Sequence, residues 1–181
     1  LSLAESYLNE NQLDDAFEAF TEVGRRLAAK GRHDDALSAL EKALGIRKDD
    51  TTALRVYVDS HAALGSAKEA AERLASVLLE SPHSREVLSL QVDALIAAGQ
   101  IDEAEKAVIR LVELDPTNFP RLLDLGKIYI ESGDVTGAAR VLSMSSEHLL
   151  VGGQAEEFDV LVTAVVDRDP DNIEGLRLKA R

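Results

Sequence analysis

Four glycines, Gly31, Gly65, Gly99 and Gly133, stand 34 residues apart, and each is followed five residues later by an alanine: Ala36, Ala70, Ala104 and Ala138. A fixed period of this length marks a repeat architecture, in which each unit buries its apolar face only against its neighbours. Leu40, Leu74, Val108 and Leu142 keep the same step nine residues past the glycines, and Ala43, Val77 and Leu111 twelve past. Offsets of four and then three residues put each set on one face of a helix. The chain is expected to be an all-α solenoid of antiparallel helix pairs, about eleven helices in all, forming one continuous array over residues 1–181.

One unit shows how the pair is made. Leu122, Leu125, Tyr129 and Ile130 form a helical stripe, and Gly126 is expected to leave room for another backbone. Gly133 stops this first helix by turning left-handed just past its end, and Asp134 caps the helix that follows. Ala138 is small enough to let the second helix lie against the first, while Val141 and Leu142 fill the gap to the next unit. Pro82, Pro116 and Pro170 fall just after second helices, where a residue unable to extend a helix punctuates the chain. Full units are expected at roughly 51–84, 85–118 and 119–152.

These residues resemble the tetratricopeptide repeat family. The best match runs Leu122, Leu125, Gly126, Tyr129, Gly133, Ala138 and Leu142, and the preceding units keep the later half of the motif, with Val58 and Val92 where the family prefers a small residue. The resemblance implies a right-handed superhelix whose inner face is made by the first helices of successive units. That face commonly holds an extended peptide or a partner's helix. Carried over by position, it comprises Thr52, Arg55, Asp59 and Ala62, then Glu86, Ser89, Asp93 and Ile96, then Pro120, Leu123, Lys127 and Ile130. Ile96, Leu123 and Ile130 would offer apolar anchorage, while Asp59 and Asp93 favour a ligand with some basic residues. Where some members grip a terminal carboxylate with Lys and Asn, this chain carries Arg55 with Asp59 and Ser89 with Asp93.

Two departures interrupt the period. Ala16, Phe20 and Val23 repeat the Ala36, Leu40, Ala43 pattern only 20 residues earlier, and Ala138 is followed after 20 by Phe158, with Val162 and Val165 beyond. A step of 20 leaves no space for a separate first helix. One long helix, roughly Leu13 to Ala29, must therefore serve as second helix of one unit and first of the next, and roughly Val135 to Val151 must do the same. These steps, near 13–30 and 135–152, lie 122 residues apart, and Ala53-Leu54-Arg55-Val56 recurs as Gly175-Leu176-Arg177-Leu178 at that offset. A higher-order duplication follows, with breaks in superhelical curvature expected near Gly31 and Gly153.

Composition narrows the function. With 33 acidic against 20 basic residues the net charge is −13, which disfavours binding to phosphate backbones and anionic membranes. No stretch approaches the roughly 18 to 20 apolar residues of a spanning helix. The chain has no cysteine, which fits a cytoplasmic location and removes thiolate metal sites and disulfides. It begins with Leu1 and stops at Arg181 within a helical pattern, as expected of part of a longer array.

His33, Asp34 and Asp35 form the one cluster that suggests metal or acid–base chemistry. Their place between Gly31 and Ala36 gives a simpler account, with the carboxylates capping a helix N-terminus. His61 stands at the family's tyrosine position as a packing residue, and His83 and His148 have no second ligand at helical spacing. Met144, with Ser143, Ser145 and Ser146, departs from the apolar stripe, which fits either a close neighbour or exposure.

No enzyme chemistry and no cofactor are expected. The expected role is a scaffold or adaptor that binds a peptide or amphipathic helix of another protein, of bacterial origin by overall resemblance. The alternatives are self-assembly, through chain ends or Leu149-Leu150-Val151, and a regulatory or substrate-delivering domain of a larger enzyme.

Overall fold

The computed structural model describes residues 2–146 and 154–180, where every regular element is helical. In chain order these are α1 (Ser2–Asn9), α2 (Leu13–Ala28), α3 (His33–Ile46), α4 (Thr51–Ala63), α5 (Ala67–Glu80), α6 (Arg85–Ala97) and α7 (Ile101–Leu114). A 3-10 turn, Pro116–Asn118, then precedes α8 (Pro120–Ser132), α9 (Val135–Ser146), α10 (Ala155–Arg168) and α11 (Ile173–Lys179). The helices group into two compact units, Leu1–Ala107 and Val108–Arg181.

The repeat glycines make the turns. Gly31, Gly65, Gly99 and Gly133 all have positive φ, between 69° and 86°. At Gly133 this lets the Asp134 N–H reach back 2.9 Å to the Tyr129 carbonyl and close the end of α8. A residue with a Cβ would lose about 1–2 kcal/mol in that left-handed region. Asn11, at φ 59°, makes the equivalent turn between α1 and α2, and is the one non-glycine with positive φ among the described residues. It stands 20 residues before Gly31, the shortened step itself.

Within the first unit, α2 spans 16 residues and packs against α1, α3 and α4, as a helix shared by two repeats must. Gly24 permits a close approach to α3, since a Cβ there would lie 2.6 Å from Cγ of Leu40. Ala36, Ala39, Leu40, Ala43 and Leu44 of α3 are all buried, as are Val58 and Val92. Each buried leucine contributes about 1.5–3 kcal/mol relative to exposure, so the core of the unit rests on these apolar stripes.

In the second unit α9 packs against α8, α10 and α11. A Cβ on Gly126 would lie 3.2 Å from Cδ2 of Leu142 on α9. The expected approach of another backbone is thus corrected to that of a side chain. Asp134 caps as expected, its Oδ1 accepting from the Gly137 N–H at 2.8 Å. Asp34 and Asp35 do not cap: α3 has no side-chain cap hydrogen bond, and Asp35 instead accepts from Arg32 Nε at 2.7 Å. Both still lie in the first turn, where acidic groups suit the helix dipole.

Helix boundaries follow the 122-residue offset. α9, α10 and α11 begin 122 residues after α2, α3 and α4, and α10 also ends 122 residues after α3. The large side chains are redistributed between copies: Phe20 on α2 and Ala36 on α3 become Leu142 on α9 and Phe158 on α10, all buried. Residues 147–153 lie outside the described part. With them fall the extension of α9 to Val151, the curvature break near Gly153 and the Leu149-Leu150-Val151 face.

Candidate functional site

In the first unit, α4 and α6 pack side by side and carry two thirds of the expected groove. Asp50 fixes the start of α4 by accepting from the Ala53 N–H at 2.8 Å, and Ser84 fixes α6 by accepting from the Val87 N–H at 3.4 Å. Buried Leu54, Tyr57 and Val58 hold α4 in the core, and Val87, Leu88, Leu90 and Val92 hold α6. This burial leaves Thr52, Arg55, Asp59, Ala62 and Glu86 exposed, with Ser89, Asp93 and Ile96 half-buried. Arg55 Nη1 donates to Asp93 Oδ2 at 3.0 Å, joining the two helices across this surface. Asp59 and Glu86 are therefore its exposed carboxylates.

The second unit treats its share differently. Leu123 is only 1% exposed and Ile130 only 7%, so neither offers the anchoring surface expected of it. The reason is that α10 packs against α8. Lys127, half-buried, forms an ion pair with Glu157 of α10 and lies 3.7 Å from Asp124. Its pKa is raised, first by the hydrogen bond to Glu157. Pro120 is half-buried at the start of α8. A regular succession of helix pairs would leave Leu123 and Ile130 on an open face, whereas the shortened step brings α10 onto α8.

His61 lies in the interior as expected of a packing residue. It is 8% exposed, its ring meets that of Tyr57 edge-on at 4.4 Å, and its Nδ1 is 2.8 Å from Ser66 Oγ. Its Nε2 and the neighbouring Ser60 Oγ are buried without a hydrogen-bond partner among the described residues. Burial holds the His61 pKa below its ordinary value, opposed by the charges of Glu69 and Glu41.

Ser143, Met144, Ser145 and Ser146 divide between the two roles left open for them. Met144 is exposed, Ser145 is buried and donates to the Leu142 carbonyl at 2.8 Å, and Ser143 Oγ donates to Glu174 Oε1 of α11 at 2.6 Å. Beside them lies an open cavity of about 360 Å³ between α9 and α11. Among the described residues no three His, Asp or Glu side chains group as metal ligands, and no helix is long and apolar enough to cross a membrane.

Helix pairs closed by left-handed glycines, with small residues at the crossings, define a helical-repeat protein. The chain belongs to the tetratricopeptide repeat family, whose sequence profile matches residues 27–93, 61–122 and 95–149. Proteins of this family are in general protein-interaction scaffolds and typically not enzymes. The protein CTR9 homolog of Arabidopsis thaliana is 29% identical over 137 residues, which cover 74% of this chain and 13% of that protein. The chain thus corresponds to a small part of the curated relative it matches. Among solved structures, MamA protein aligns with a TM-score of 0.66 at 16% identity, covering 90% of this chain and 87% of its own. YrrB, described as a tetratricopeptide repeat protein with an unusual peptide-binding site, aligns with a TM-score of 0.54 at 17% identity, covering 98% of each chain. At these identities the likeness is one of fold.

Proposed function

We propose that this chain is a protein-interaction module whose α4–α6 surface holds a peptide or helical segment of a partner protein bearing basic residues. The observation that carries this reading is the pairing of Arg55 with Asp93, which takes the basic residue of that surface out of play and leaves Asp59 and Glu86 exposed beside Thr52 and Ile96. Exposed carboxylates beside a half-buried isoleucine suit a ligand with an apolar anchor flanked by Lys or Arg. The peptide-binding site named for YrrB supports a peptide as ligand.

Affinity capture with the wild-type chain against its Asp59→Lys, Glu86→Lys version tests the reading. A partner held by the first and lost by the second supports it, provided that an outer-face reversal, Glu72→Lys, retains the partner. Equal loss on both faces sinks it. Asp93 is left unchanged because reversing it would also break the contact with Arg55.

Self-association is a second reading. The second unit exposes Val160 on α10 and Ile173 and Leu176 on α11, apolar residues that a second copy would cover. Mass measured by light scattering over a range of concentration distinguishes the two.

A further inference from the structure

One helix of the protein has the features that the α4–α6 surface selects. On α11, Ile173 is 66% exposed and Leu176 46% exposed, and their spacing of three residues puts them on one face. At about 100° per residue, Arg177 and Lys179 fall on the two sides of that stripe. The helix buries Gly175 and Leu178 and packs against α9 and α10, so the stripe faces outward.

The charges beside the stripe are available. Arg177 is 72% exposed and 3.5 Å from Glu174, an ion pair of the kind that contributes little. Lys179 has no ion pair among the described residues. Among the described helices only α9 and α11 carry more basic than acidic side chains, in a chain of net charge −13. In α9 the basic residue is Arg140, whose guanidinium lies 5.9 Å from the Tyr129 ring centroid.

The α4–α6 surface is the complement. It carries one carboxylate on each helix, Asp59 and Glu86, both exposed and neither in an ion pair among the described residues. Ala62 and Ile96 stand 34 residues apart, at matching positions near the ends of α4 and α6, and supply apolar area. Basic side chains flanking an apolar stripe thus meet carboxylates beside an apolar patch. Pairing either surface with itself would set like charges against each other.

We propose that α11 of one copy of this chain docks on the α4–α6 surface of a second copy, with Ile173 and Leu176 towards Ala62 and Ile96, and Arg177 and Lys179 towards Asp59 and Glu86. The proposal rests on the reading of α4–α6 as a ligand-binding surface and names its ligand. The two surfaces differ, so the contact is heterologous, and each added copy brings an unused surface of the other kind. Assembly therefore continues past the dimer, as an open chain or a closed ring.

Sedimentation velocity over a range of concentration is expected to show wild-type mass rising beyond that of a dimer. Two variants each remove one side. Asp59→Lys, Glu86→Lys alters the carboxylate surface, and Ile173→Ser, Arg177→Gln, Lys179→Gln alters the stripe, all five positions being exposed. Each variant alone is expected to self-associate about tenfold more weakly, with circular dichroism checking that both are helical. Mixed in equal amounts, each supplies the surface that the other lacks, so a 1:1 complex should form. Glu72→Lys on α5 should associate as the wild type does.

A wild type that stays monomeric throughout, an α11 variant that associates like the wild type, or a mixture that recovers no complex overturns the proposal. The reading of α4–α6 fails separately. A foreign partner lost with Asp59→Lys, Glu86→Lys but kept by a monomeric wild type leaves that reading standing and removes the second copy as the ligand.

Discussion

Arg55 on α4 and Asp93 on α6 are joined by a 3.0 Å hydrogen-bonded ion pair, while Asp59, one turn along α4 from Arg55, stays exposed. Two aspartates that look equivalent in sequence thus have different work. Exposed ion pairs contribute about 0.2–1 kcal/mol. Asp93→Lys replaces attraction by repulsion and is expected to cost about 1 kcal/mol in urea denaturation. Asp59→Lys adds only a like charge one turn from Arg55, which costs about 0.2–0.5 kcal/mol. Equal destabilisation by the two would remove the distinction between an aspartate that joins two helices and one that only lies exposed on α4.

Val165 on α10 and Gly175 on α11 form a second coupled pair. A Cβ on Gly175 would lie 2.8 Å from Val165 Cγ1 and 3.3 Å from Val166 Cγ2. The same two positions in the first unit are Ala43 and Ala53, so one extra pair of methyl groups on α10 is matched by one fewer methyl on α11. Gly175→Ala is expected to destabilise, because overpacking costs about 1–3 kcal/mol and outweighs the gain of about 1 kcal/mol in helix propensity. Adding Val165→Ala should recover much of that loss. A double-mutant cycle by urea denaturation checks the coupling, and strict additivity would refute it.

The periodic parts of the fold were legible in the sequence because a turn glycine, a crossing alanine and a capping aspartate each act within a few residues. Gly133 with Asp134 is such a case, and so is the shared helix α2, inferred from a missing 14 residues between Ala16 and Ala36. What failed depends on which helix lies opposite. Leu123 and Ile130 belong to the right stripe of α8, but their exposure is decided by α10, and a pattern within one helix carries no information about its cover.

His61 gives the fold a pH dependence of definite sign. Above its ordinary pKa of about 6.5 the imidazole is neutral both folded and unfolded, and contributes no slope. As pH falls below that value the unfolded chain takes up the proton first, because burial holds the folded pKa lower. Stability is therefore lost as pH drops through the region below about 6.5, until the folded value is reached. Glu69 and Glu41 oppose the shift, while Arg73 adds to it. Urea denaturation between neutral and mildly acidic pH should show this decline in the wild type and a shallower one in His61→Gln. Parallel profiles would assign the acid sensitivity to other groups.

Gly65 offers the cleanest measure of what the repeat glycines contribute. Its φ is 72°, and a Cβ there would meet nothing within 4 Å, so any loss on substitution reflects backbone conformation and not packing. Gly65→Ala is expected to cost about 1–2 kcal/mol, the penalty of a Cβ in the left-handed region. Asn11 holds that conformation in the turn between α1 and α2, and asparagine offsets part of the penalty through its short polar side chain. Gly65→Asn should accordingly cost less than Gly65→Ala, although the asparagine is the larger residue. Thermal denaturation of the two variants decides the matter. If the order of stability followed side-chain size instead, the turn would be limited by space, and the 34-residue glycine period would need an explanation other than its φ.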